Sequence, residues 1–489
     1  MLVTASQMKS AEEGAFQAGQ TPKGLMEIAG EGIARCLRQF FPRPATAVVF
    51  CGKGHNAGDA LVAAHHLKSA GWRIFVRLSS PLEKLAPLTR RHLEDLEADP
   101  MESLGGIDGK SLILIDGLLG IGVTGAPRGV VKERIRELNA LRSSGAFTVA
   151  VDVPSGLEAT TGEVFDPCVQ ADLTITLGFA KTGLIADGAT RHVGRLALVE
   201  LPEISSKDGD RASITTSKSL RHLLPIRDFD THKGNYGRVG IIAGSSGYLG
   251  AARLCSMAAV HAGGGLVTLY ALSETFDKLS VLTNPEVMVK RIGSYAEVLD
   301  ERNDVLAIGP GLGRDHDQAV RLLVERAPCP CVVDADALNA VSIDITLLDH
   351  CAAPRILTPH PGEMERLNPQ QGRSRRLWAD QFVAQYPVTL LLKGARTVIA
   401  GTGVSANFNP TGNPGMGSGG MGDVLTGVTA ALMGCGKSPQ DAAILGAWLC
   451  GRAAEIAIFN RRESQESLSA TAVISCLGPA YSSLRNADY

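Results

Sequence analysis

The sequence lacks an excess of charge of either sign and any long uninterrupted apolar run. Lysine and arginine number 48 against 50 aspartates and glutamates, for a net charge of −2. Such a balance provides no broad cationic surface for nucleic acid or for anionic lipid. No apolar run reaches the roughly 18 residues that a membrane span needs. We therefore expect neither a nucleic-acid-binding protein nor a membrane protein.

The sequence also lacks a regular cysteine framework. Its ten cysteines are scattered without a Cys-x-x-Cys pair, which is typical of reduced thiols in an intracellular enzyme. Cys329 and Cys331 form the one close pair, and we expect them to pack in the core rather than to bind metal. The first 18 residues carry Lys9, Glu12 and Glu13 and no apolar core of a signal peptide. We expect a cytoplasmic protein.

The length and the pattern of apolar runs predict two domains. A chain of 489 residues is too long for one ordinary core. In both halves, short apolar runs alternate with longer helical stretches, which predicts parallel sheets covered by helices. The predicted strands include residues 46–50, 111–115, 148–151 and 172–177 in the first half, and 239–243, 266–269, 305–308, 332–334, 356–358 and 389–393 in the second. The polar run at 205–211 predicts a linker, and the predicted domains are 1–212 and 213–489.

The strongest chemical signal is the glycine-rich run at residues 413–423, which is followed by an apolar helical stretch at 424–433. Many glycines let backbone N–H groups point into one concavity, and the helix adds its positive N-terminal end. Such a loop suits a phosphoryl group in transfer. Asp423 is then the candidate general base that deprotonates an attacking hydroxyl. The alternative is a flexible loop in which Asp423 only caps the helix.

Four further segments follow apolar strands in the second half. They are residues 244–251, 309–313, 358–363 with His360, and 393–397. Because the carboxyl ends of parallel strands share one edge of a sheet, we expect these loops to open on one crevice.

Together with residues 232–234 and 333–338, these segments resemble the ADP-dependent NAD(P)H-hydrate dehydratases, a family of ribokinase-like fold. The resemblance implies that the adenine nucleotide contacts Lys393, Gly394, Ala395, Arg396, Thr397 and Gly422. It implies that the hydrated nicotinamide contacts Ala251, Gly313, His360 and Asp423. Asp423 would help the ring hydroxyl to take the β-phosphate of ADP, and loss of phosphate would then give NAD(P)H, AMP and phosphate. Mg²⁺ is expected at the phosphates, where Asp334, Asp336 or Glu363 could hold it.

Three loops of the first half also follow predicted strands, at residues 52–60, 116–125 and 152–157. They offer the oxygen-bearing side chains Asn56, Asp59, Asp116, Asp152 and Ser155. Neighbouring strand ends would bring these groups into a pocket that could hold a monovalent cation and a sugar phosphate. The alternative is that each aspartate only caps a helix or a turn.

With residues 4–8 and 25–30, these loops resemble the NAD(P)H-hydrate epimerases over roughly the first 200 residues. The resemblance implies K⁺ ligands at Asn56, Asp116 and Ser155. It implies substrate contacts at Asn56, Ala57, Gly58, Asp59, Ala60, Gly120, Ile121, Gly122, Val123, Thr124, Gly125, Ala126 and Asp152. Asp152 is the candidate group for proton transfer or for orienting the ring. We therefore expect a Rossmann-like three-layer sandwich followed by a ribokinase-like domain, in a homo-oligomer that acts on small molecules.

The first half departs from the usual pattern of the epimerases, whose loop reads close to Asn-Asn-Gly-Gly-Asp-Gly. This chain has His55, Ala57 and Ala60 there, and it has Gly117 and Ile121 where alanine and threonine are typical. The added methyl groups could crowd backbone contacts to phosphate. A second hypothesis is therefore a ribokinase-like small-molecule kinase with a non-catalytic N-terminal ligand-binding module. The preference for NADH or NADPH hydrates and the use of ATP in place of ADP stay open.

Overall fold

The computed structural model describes residues 1–98, 100–101, 112–206, 208–224, 227–369, 374–461 and 463–489. The chain divides into two compact units. The first comprises Met1–Thr216 with Asp488–Tyr489, and the second comprises Ser217–Ala487. The boundary predicted from the sequence lies near residue 213. Ser111 of a predicted strand and Lys207 of the predicted linker lie outside the described residues.

The first unit contains a six-stranded parallel sheet in the order β3-β2-β4-β5-β6-β8, which confirms the α/β class predicted for this half. Central strands bury nearly every residue, because a parallel sheet has both faces covered. The elements are β1 (Leu2–Val3), α1 (Ala5–Gln17), α2 (Pro22–Phe40), β2 (Thr46–Cys51), α3 (His55–Ser69), β3 (Arg73–Leu78), α4 (Pro87–Leu96), β4 (Leu112–Gly117), α5 (Gly129–Ser143), β5 (Phe147–Val151), β6 (Leu173–Leu177), β7 (Ala180–Lys181), α6 (Thr190–Val193), β8 (Arg195–Val199) and β9 (Ser213–Ile214).

The strand order reverses between β2 and β4, since β3 lies on one side of β2 and the later strands lie on the other. The loops that leave two such strands diverge and open a crevice at the carboxyl ends. A separate two-stranded parallel sheet pairs β1 with β7 and sets Val3 opposite Lys181. Thr4 follows β1 and caps α1 by accepting a hydrogen bond from the N–H of Gln7 at 3.2 Å. The start of α1 is thereby fixed beside Lys181.

The second unit is built on a sheet in the order β12-β11-β10-β13-β14-β15-β16, parallel throughout, which β17 and β18 extend in antiparallel fashion. The α/β class predicted for this half is confirmed, and its strand order reverses between β10 and β13. The elements are α7 (Ser217–Leu220), β10 (Arg238–Ile242), α8 (Leu249–His261), β11 (Leu266–Leu272), α9 (Ser273–Leu282), β12 (Val287–Ile292), β13 (Val305–Ile308), α10 (Asp317–Arg326), β14 (Cys331–Val333), α11 (Ala335–Val341), β15 (Arg355–Leu357), α12 (Pro361–Leu367), α13 (Arg375–Gln385), β16 (Thr389–Leu392), β17 (Val398–Gly401), β18 (Val404–Phe408), α14 (Met421–Gly434), α15 (Pro439–Arg461), α16 (Ala470–Ser475) and α17 (Leu477–Arg485).

Helices α14 and α15 form the centre of the hydrophobic core of this unit. The stretch Pro439–Asn460 of α15 is long and apolar enough to cross a membrane, but 89% of its apolar window is buried within the protein, as in the core helix of a soluble domain. Helix α14 packs against α8 at Gly427, where an added Cβ would lie 2.1 Å from the carbonyl oxygen of Cys255. Only glycine permits this approach, which sets the depth of α14 and hence the position of its first turn.

Candidate active sites

A cavity of about 810 Å³ opens at the strand reversal of the first unit. Its walls come from the loops after β2, β4 and β5 and from α1, as expected for a ligand site in an open parallel sheet. The predicted substrate contacts that line it are Asn56, Asp59, Gly120, Ile121, Gly122, Val123, Thr124, Gly125, Ala126 and Asp152. The structure therefore brings three separate segments of the sequence to one cavity.

Asp152 follows β5 and has a φ of +64°, a left-handed conformation that is rare for a residue with a side chain. Its Oδ1 accepts hydrogen bonds from the hydroxyl of Thr176 at 3.1 Å and from the N–H of Leu177 at 3.0 Å. The same oxygen forms an ion pair with the ammonium group of Lys181, whose side chain is fully buried. Lys181 also donates to the carbonyl oxygen of Leu177 at 2.8 Å. Three donors on one oxygen therefore fix the position of the carboxylate.

Two further carboxyl groups, those of Glu12 and Asp59, line the same cavity. Burial raises the pKa of Asp59 well above its ordinary value, and the negative charges of Asp152 and Glu12 add to the rise. Burial and Asp152 also raise the pKa of Glu12, whereas Lys181 opposes the shift. The carboxyl groups are therefore coupled, with Lys181 as their buried counter-charge.

The three predicted K⁺ ligands surround the loop after β4. Asp116 is fully buried and accepts hydrogen bonds from the N–H of Leu118 at 3.1 Å and from the N–H and hydroxyl of Ser155 at 2.8 and 2.7 Å. The N–H of Leu119 donates to the hydroxyl of Ser155 at 2.9 Å, and the amide of Asn56 donates to the carbonyl of Leu119 at 2.7 Å. Burial raises the pKa of Asp116 to about 6, which hydrogen bonds from neutral donors only partly offset.

The three remaining predicted contacts of α3, Ala57, Gly58 and Ala60, are buried and do not line the cavity. The methyl group of Ala60 packs beside Gly117, where an added Cβ would lie 2.8 Å from the Cβ of Ala60. The small residue at the end of β4 and the larger one on α3 thus fill one space between strand and helix. The methyl groups do not crowd the cavity, contrary to what the sequence suggested.

Sequence reasoning gave no role to Glu12 or Lys181. The nearest signal for Lys181 is its position four residues after β6, a strand that is buried throughout. A lysine so close to a buried strand end requires a counter-charge, since an unpaired ammonium group is costly to bury. Glu12 has no such signal, because the pairing of β1 with β7 that fixes α1 connects distant parts of the chain.

In the second unit, Asp423 lies in the first turn of α14. Burial raises the pKa of this carboxyl to about 6, and the neighbouring charges of Asp334 and Asp336 contribute while Lys393 opposes them. Gly420, which precedes the helix, has a φ of +87°. The predicted anion-binding loop therefore leads into a helix N-terminus with a carboxyl group that titrates near neutral pH.

A buried ion pair adjoins Asp423. Asp334 follows β14, and its carboxylate accepts hydrogen bonds from the ammonium of Lys393 and from the hydroxyl of Thr426, both at 2.8 Å. Burial raises the pKa of Asp334, but Lys393 and the hydroxyls of Thr426 and Thr358 together outweigh burial, and the net pKa lies below the ordinary value. An added Cβ on Gly422 would lie 3.4 Å from Asp334 Oδ2 and 3.5 Å from Lys393 Nζ. The predicted nucleotide contacts Gly422 and Lys393 are thus neighbours.

The other predicted loops of the second unit are also connected to each other. The N–H of Gly313 donates to a carboxylate oxygen of Asp336 at 2.8 Å, and an added Cβ on Gly311 would lie 3.0 Å from the Cβ of Ala251. His360 caps α12 through Nδ1, which accepts from the N–H of Gly362 at 3.0 Å, and Glu363 lies 3.6 Å from Lys393.

In the turn at 393–397, which is predicted to contact the nucleotide, Gly394 and Ala395 are exposed, Thr397 is half-buried and Arg396 is buried. Arg396 would therefore contact a nucleotide through its backbone.

The acidic residues proposed for Mg²⁺ already have protein partners. Asp334 pairs with Lys393, Asp336 binds the N–H of Gly313, and Glu363 accepts from the N–H of His360 at 2.7 Å. Across the ranges that the structure describes, no group of three or more histidine, cysteine or acidic side chains is arranged to hold a metal ion. A divalent ion would thus need ligands from the nucleotide as well.

Each half of the chain matches the model of a known protein family. The profile of the NAD(P)H-hydrate dehydratase family matches residues 239–475, and that of the YjeF-related protein N-terminus matches residues 22–183. The bifunctional NAD(P)H-hydrate repair enzyme Nnr of Moorella thermoacetica is 37% identical over 505 residues, which cover 94% of this chain and 93% of that protein. The enzyme of the same name from Escherichia coli K12 is 36% identical and covers 91% of this chain and 87% of its own length.

Solved structures resemble the second half. The ADP/ATP-dependent NAD(P)H-hydrate dehydratase from Bacillus subtilis, co-crystallized with ATP and Mg²⁺, is 31% identical. The match covers 55% of this chain and 98% of that one, with a TM-score of 0.49.

The packing of Ala60 against Gly117 predicts a coupled pair. Gly117→Ala should destabilise the first unit by about 1–3 kcal/mol, because its Cβ overlaps that of Ala60. Ala60→Gly alone should cost about 1 kcal/mol through helix propensity. The double variant should be more stable than the sum of the two losses by at least about 1 kcal/mol. Hydrogen exchange of amides in β4 and α3 measures these opening free energies, and strictly additive losses would contradict the pairing.

Proposed function

The chain belongs to the family of bifunctional NAD(P)H-hydrate repair enzymes, and from this premise we propose how its two sites divide the repair. The first unit is an NAD(P)H-hydrate epimerase, which interconverts the R and S hydrates. The second is an ADP-dependent NAD(P)H-hydrate dehydratase, which returns the S hydrate to NAD(P)H. The observation that carries this proposal is a carboxyl group with a raised pKa beside an Asp–Lys ion pair in each unit. Asp59 lies near Asp152 and Lys181, and Asp423 lies near Asp334 and Lys393.

In the dehydratase unit, we propose Asp423 as the general base. The ring hydroxyl leaves poorly as hydroxide, so it first attacks the β-phosphorus of ADP while Asp423 takes its proton. Phosphate then leaves C6, a proton is lost from C5 as the C5=C6 double bond of NAD(P)H forms, and AMP is the other product. The N-terminus of α14 and the glycines before it offer backbone N–H groups to the transferring phosphoryl group. Lys393 supplies positive charge next to Gly422 and Asp423.

The kinase hypothesis explains less of the molecule. A small-molecule kinase needs only the second unit, whereas relatives with the repair activity in their names match both units over more than 90% of this chain. The first unit moreover contains a cavity of about 810 Å³ lined by acidic and basic side chains, which acid–base chemistry requires in addition to ligand binding. The repair function therefore accounts for both sites.

In the epimerase unit, we propose that the hydrated nicotinamide enters this cavity and that Asp152 faces the ring. Lys181 and the N–H of Leu177 hold the Asp152 carboxylate in place. The loop of residues 120–126 forms part of the cavity wall.

We also propose that Asn56, Asp116 and Ser155 hold K⁺. Carboxylate, amide and hydroxyl oxygens are suitable ligands for a hard cation. The fit rests on Asp116, a fully buried carboxyl whose described hydrogen bonds come from neutral donors, so that a cation would supply the missing positive charge. K⁺ would fix the loop after β4 and would lower the pKa of Asp116 from its value near 6.

For Mg²⁺, we propose that the nucleotide phosphates supply most of the ligands. Asp334, Asp336 and Asp423 interact electrostatically with one another, so one or two of them can complete the coordination. Bound there, Mg²⁺ would neutralise charge on the phosphates during transfer. We further propose a cytoplasmic location, on the ground that the ten cysteines are scattered without a Cys-x-x-Cys pair and most of them are buried. The homo-oligomeric state stays a prediction.

The function is tested directly with both hydrates. Purified full-length protein with ADP and Mg²⁺ should restore the reduced-nicotinamide absorbance from the S hydrate of NADH. It should also consume the R hydrate faster than spontaneous epimerisation allows. Inactivity on the S hydrate would reject the dehydratase, and inactivity on the R hydrate alone would reject the epimerase.

Asp423→Asn should lower kcat for the S hydrate by about 10²–10⁴-fold, because the asparagine cannot accept the proton. Nucleotide binding, measured by calorimetry, should persist. In the unmodified protein, the base works only when ionised, so activity should fall as the pH drops below about 6. If Asp423 only caps the helix, the variant would instead lose thermal stability and keep its turnover per folded molecule.

Replacing K⁺ by a bulky ammonium ion at constant ionic strength should slow epimerisation of the R hydrate and lower the melting temperature of the first unit. Asp116→Asn should remove both responses to K⁺, since it removes the negative ligand. Asp95→Asn, which changes an exposed carboxylate on α4, is the matched control and should retain both. Equal melting temperatures of the unmodified protein in the two salts would count against the cation site.

A further inference from the structure

The cavity of the first unit holds three carboxyl groups against one buried cation. Glu12 comes from α1, Asp59 from α3, Asp152 from the end of β5 and Lys181 from β7, and all four line the cavity. The pairing of β1 with β7 fixes α1, and with it Glu12, beside the strand of Lys181. Three ionised carboxylates and one ammonium group would leave two uncompensated negative charges at buried or partly buried positions. Such an excess is costly, so at least one carboxyl group retains its proton.

Asp152 is the carboxylate that forms the ion pair with Lys181. One of its oxygens receives the hydroxyl of Thr176, the N–H of Leu177 and the ammonium of Lys181. Hydrogen bonds and a cation on the charged form stabilise that form. The proton therefore resides on Asp59 or on Glu12.

The surroundings favour Asp59 as the holder of the proton. Burial raises the pKa of Asp59, and both Asp152 and Glu12 act on it with negative charge, while Lys181 is the cation that opposes them. Burial also raises the pKa of Glu12, but two cations, Lys181 and Lys9, act to lower it, although Glu13 on the same helix opposes them. The other charged groups on the cavity wall are Lys53, His55 and Arg128, and all three are exposed to solvent. Water screens exposed charges, so they compensate Asp59 far less than a buried cation would.

We propose that Asp59 is the catalytic acid–base of the epimerase, that the carboxylate of Asp152, held by Lys181, stabilises positive charge on the ring, and that Glu12 is a positioning residue that keeps the proton on Asp59. This inference rests on the proposed epimerase function. The assignment follows a general pattern in which neighbouring acids are given different roles by environments that separate their titration.

In the hydrate, the hydroxyl group is carried on C6 of the nicotinamide ring. The carboxyl proton of Asp59 passes to the hydroxyl oxygen, the C6–O bond breaks, and water leaves. The lone pair of N1 forms an N1=C6 double bond, and the positive charge on the ring faces the carboxylate of Asp152. Water then adds to the other face of C6 and releases one proton, and Asp59 regains one proton. The net result is the opposite hydrate with no oxidant or co-reactant.

The test uses the full-length protein and the R hydrate of NADH, with spontaneous epimerisation subtracted at each pH. Asp59→Asn is nearly isosteric and should lower kcat for epimerisation by at least about 100-fold with a smaller change in KM. Dehydration of the S hydrate by the other unit and the melting curve of the same preparation report on folding. In the unmodified protein, kcat should fall as the pH rises far enough to ionise Asp59.

Glu12→Gln distinguishes proton transfer from a merely structural role. Removing this negative charge makes ionisation of Asp59 easier, so the fall in kcat should move to lower pH. Glu133→Gln is the matched control, because Glu133 on α5 has the same charge in the same unit but is exposed and does not line the cavity. The control should leave the pH profile in place.

Epimerisation by Asp59→Asn within about threefold of the unmodified rate would overturn the proposal. A pH profile of Glu12→Gln that overlays that of Glu133→Gln would overturn it as well, since Asp59 would then act only in binding. Failure of the unmodified protein to epimerise the R hydrate would instead reject the proposed function of the unit, and so the two failures are distinguishable.

Discussion

The cost of burying a carboxylate at the end of a parallel strand is the constraint on which both sites depend. In the first unit, Asp152 follows β5 and pairs with the fully buried Lys181. In the second, Asp334 follows β14 and pairs with Lys393. Each pair is completed by a threonine hydroxyl, that of Thr176 or Thr426. Without these cations the carboxylates would have to take up protons or leave the core, and the loops around them would no longer be held in place by the ion pair.

The backbone carries part of the same constraint. Asp152 itself and Ala335, which follows Asp334, both adopt positive φ angles, of +64° and +49°. Non-glycine residues in this region cost about 1 kcal/mol or more and persist where their surroundings fix them. In both units, the strained residue turns the chain sharply out of a buried strand. The ion pair and the hydrogen bonds to the carboxylate hold that turn, and the carboxylate is thereby aimed toward the site.

The sequence was sufficient to predict the two α/β domains, the loops at the strand ends and Asp423, because each is written in a local pattern of apolar runs, glycines and acids. It was not sufficient for Lys181 and Glu12, whose roles depend on a parallel pairing between residues 2–3 and 180–181. The departures at Ala60 and Gly117 illustrate the same limit. Considered without Gly117, the methyl group of Ala60 was expected to crowd backbone contacts to phosphate. In the fold it occupies the space that a side chain at Gly117 would need.

The fixed ion pair also explains why a second acid in each unit can exchange protons. A cation committed to Asp334 neutralises that group first, so Asp423 is left with a pKa of about 6. On the proposed mechanism, the phosphates of ADP would raise this pKa further by adding negative charge, which would disable the base at neutral pH. The N-terminus of α14 and Lys393 act in the opposite direction, since both place positive charge beside the carboxyl group.

Binding of the nucleotide and ionisation of the base are thus coupled, and Lys393 interacts with Asp334, with Asp423 and with the phosphates. This shared demand is a physical reason for a lysine at that position, because a flexible ammonium group can distribute its donors among several oxygens where a planar guanidinium would favour one carboxylate.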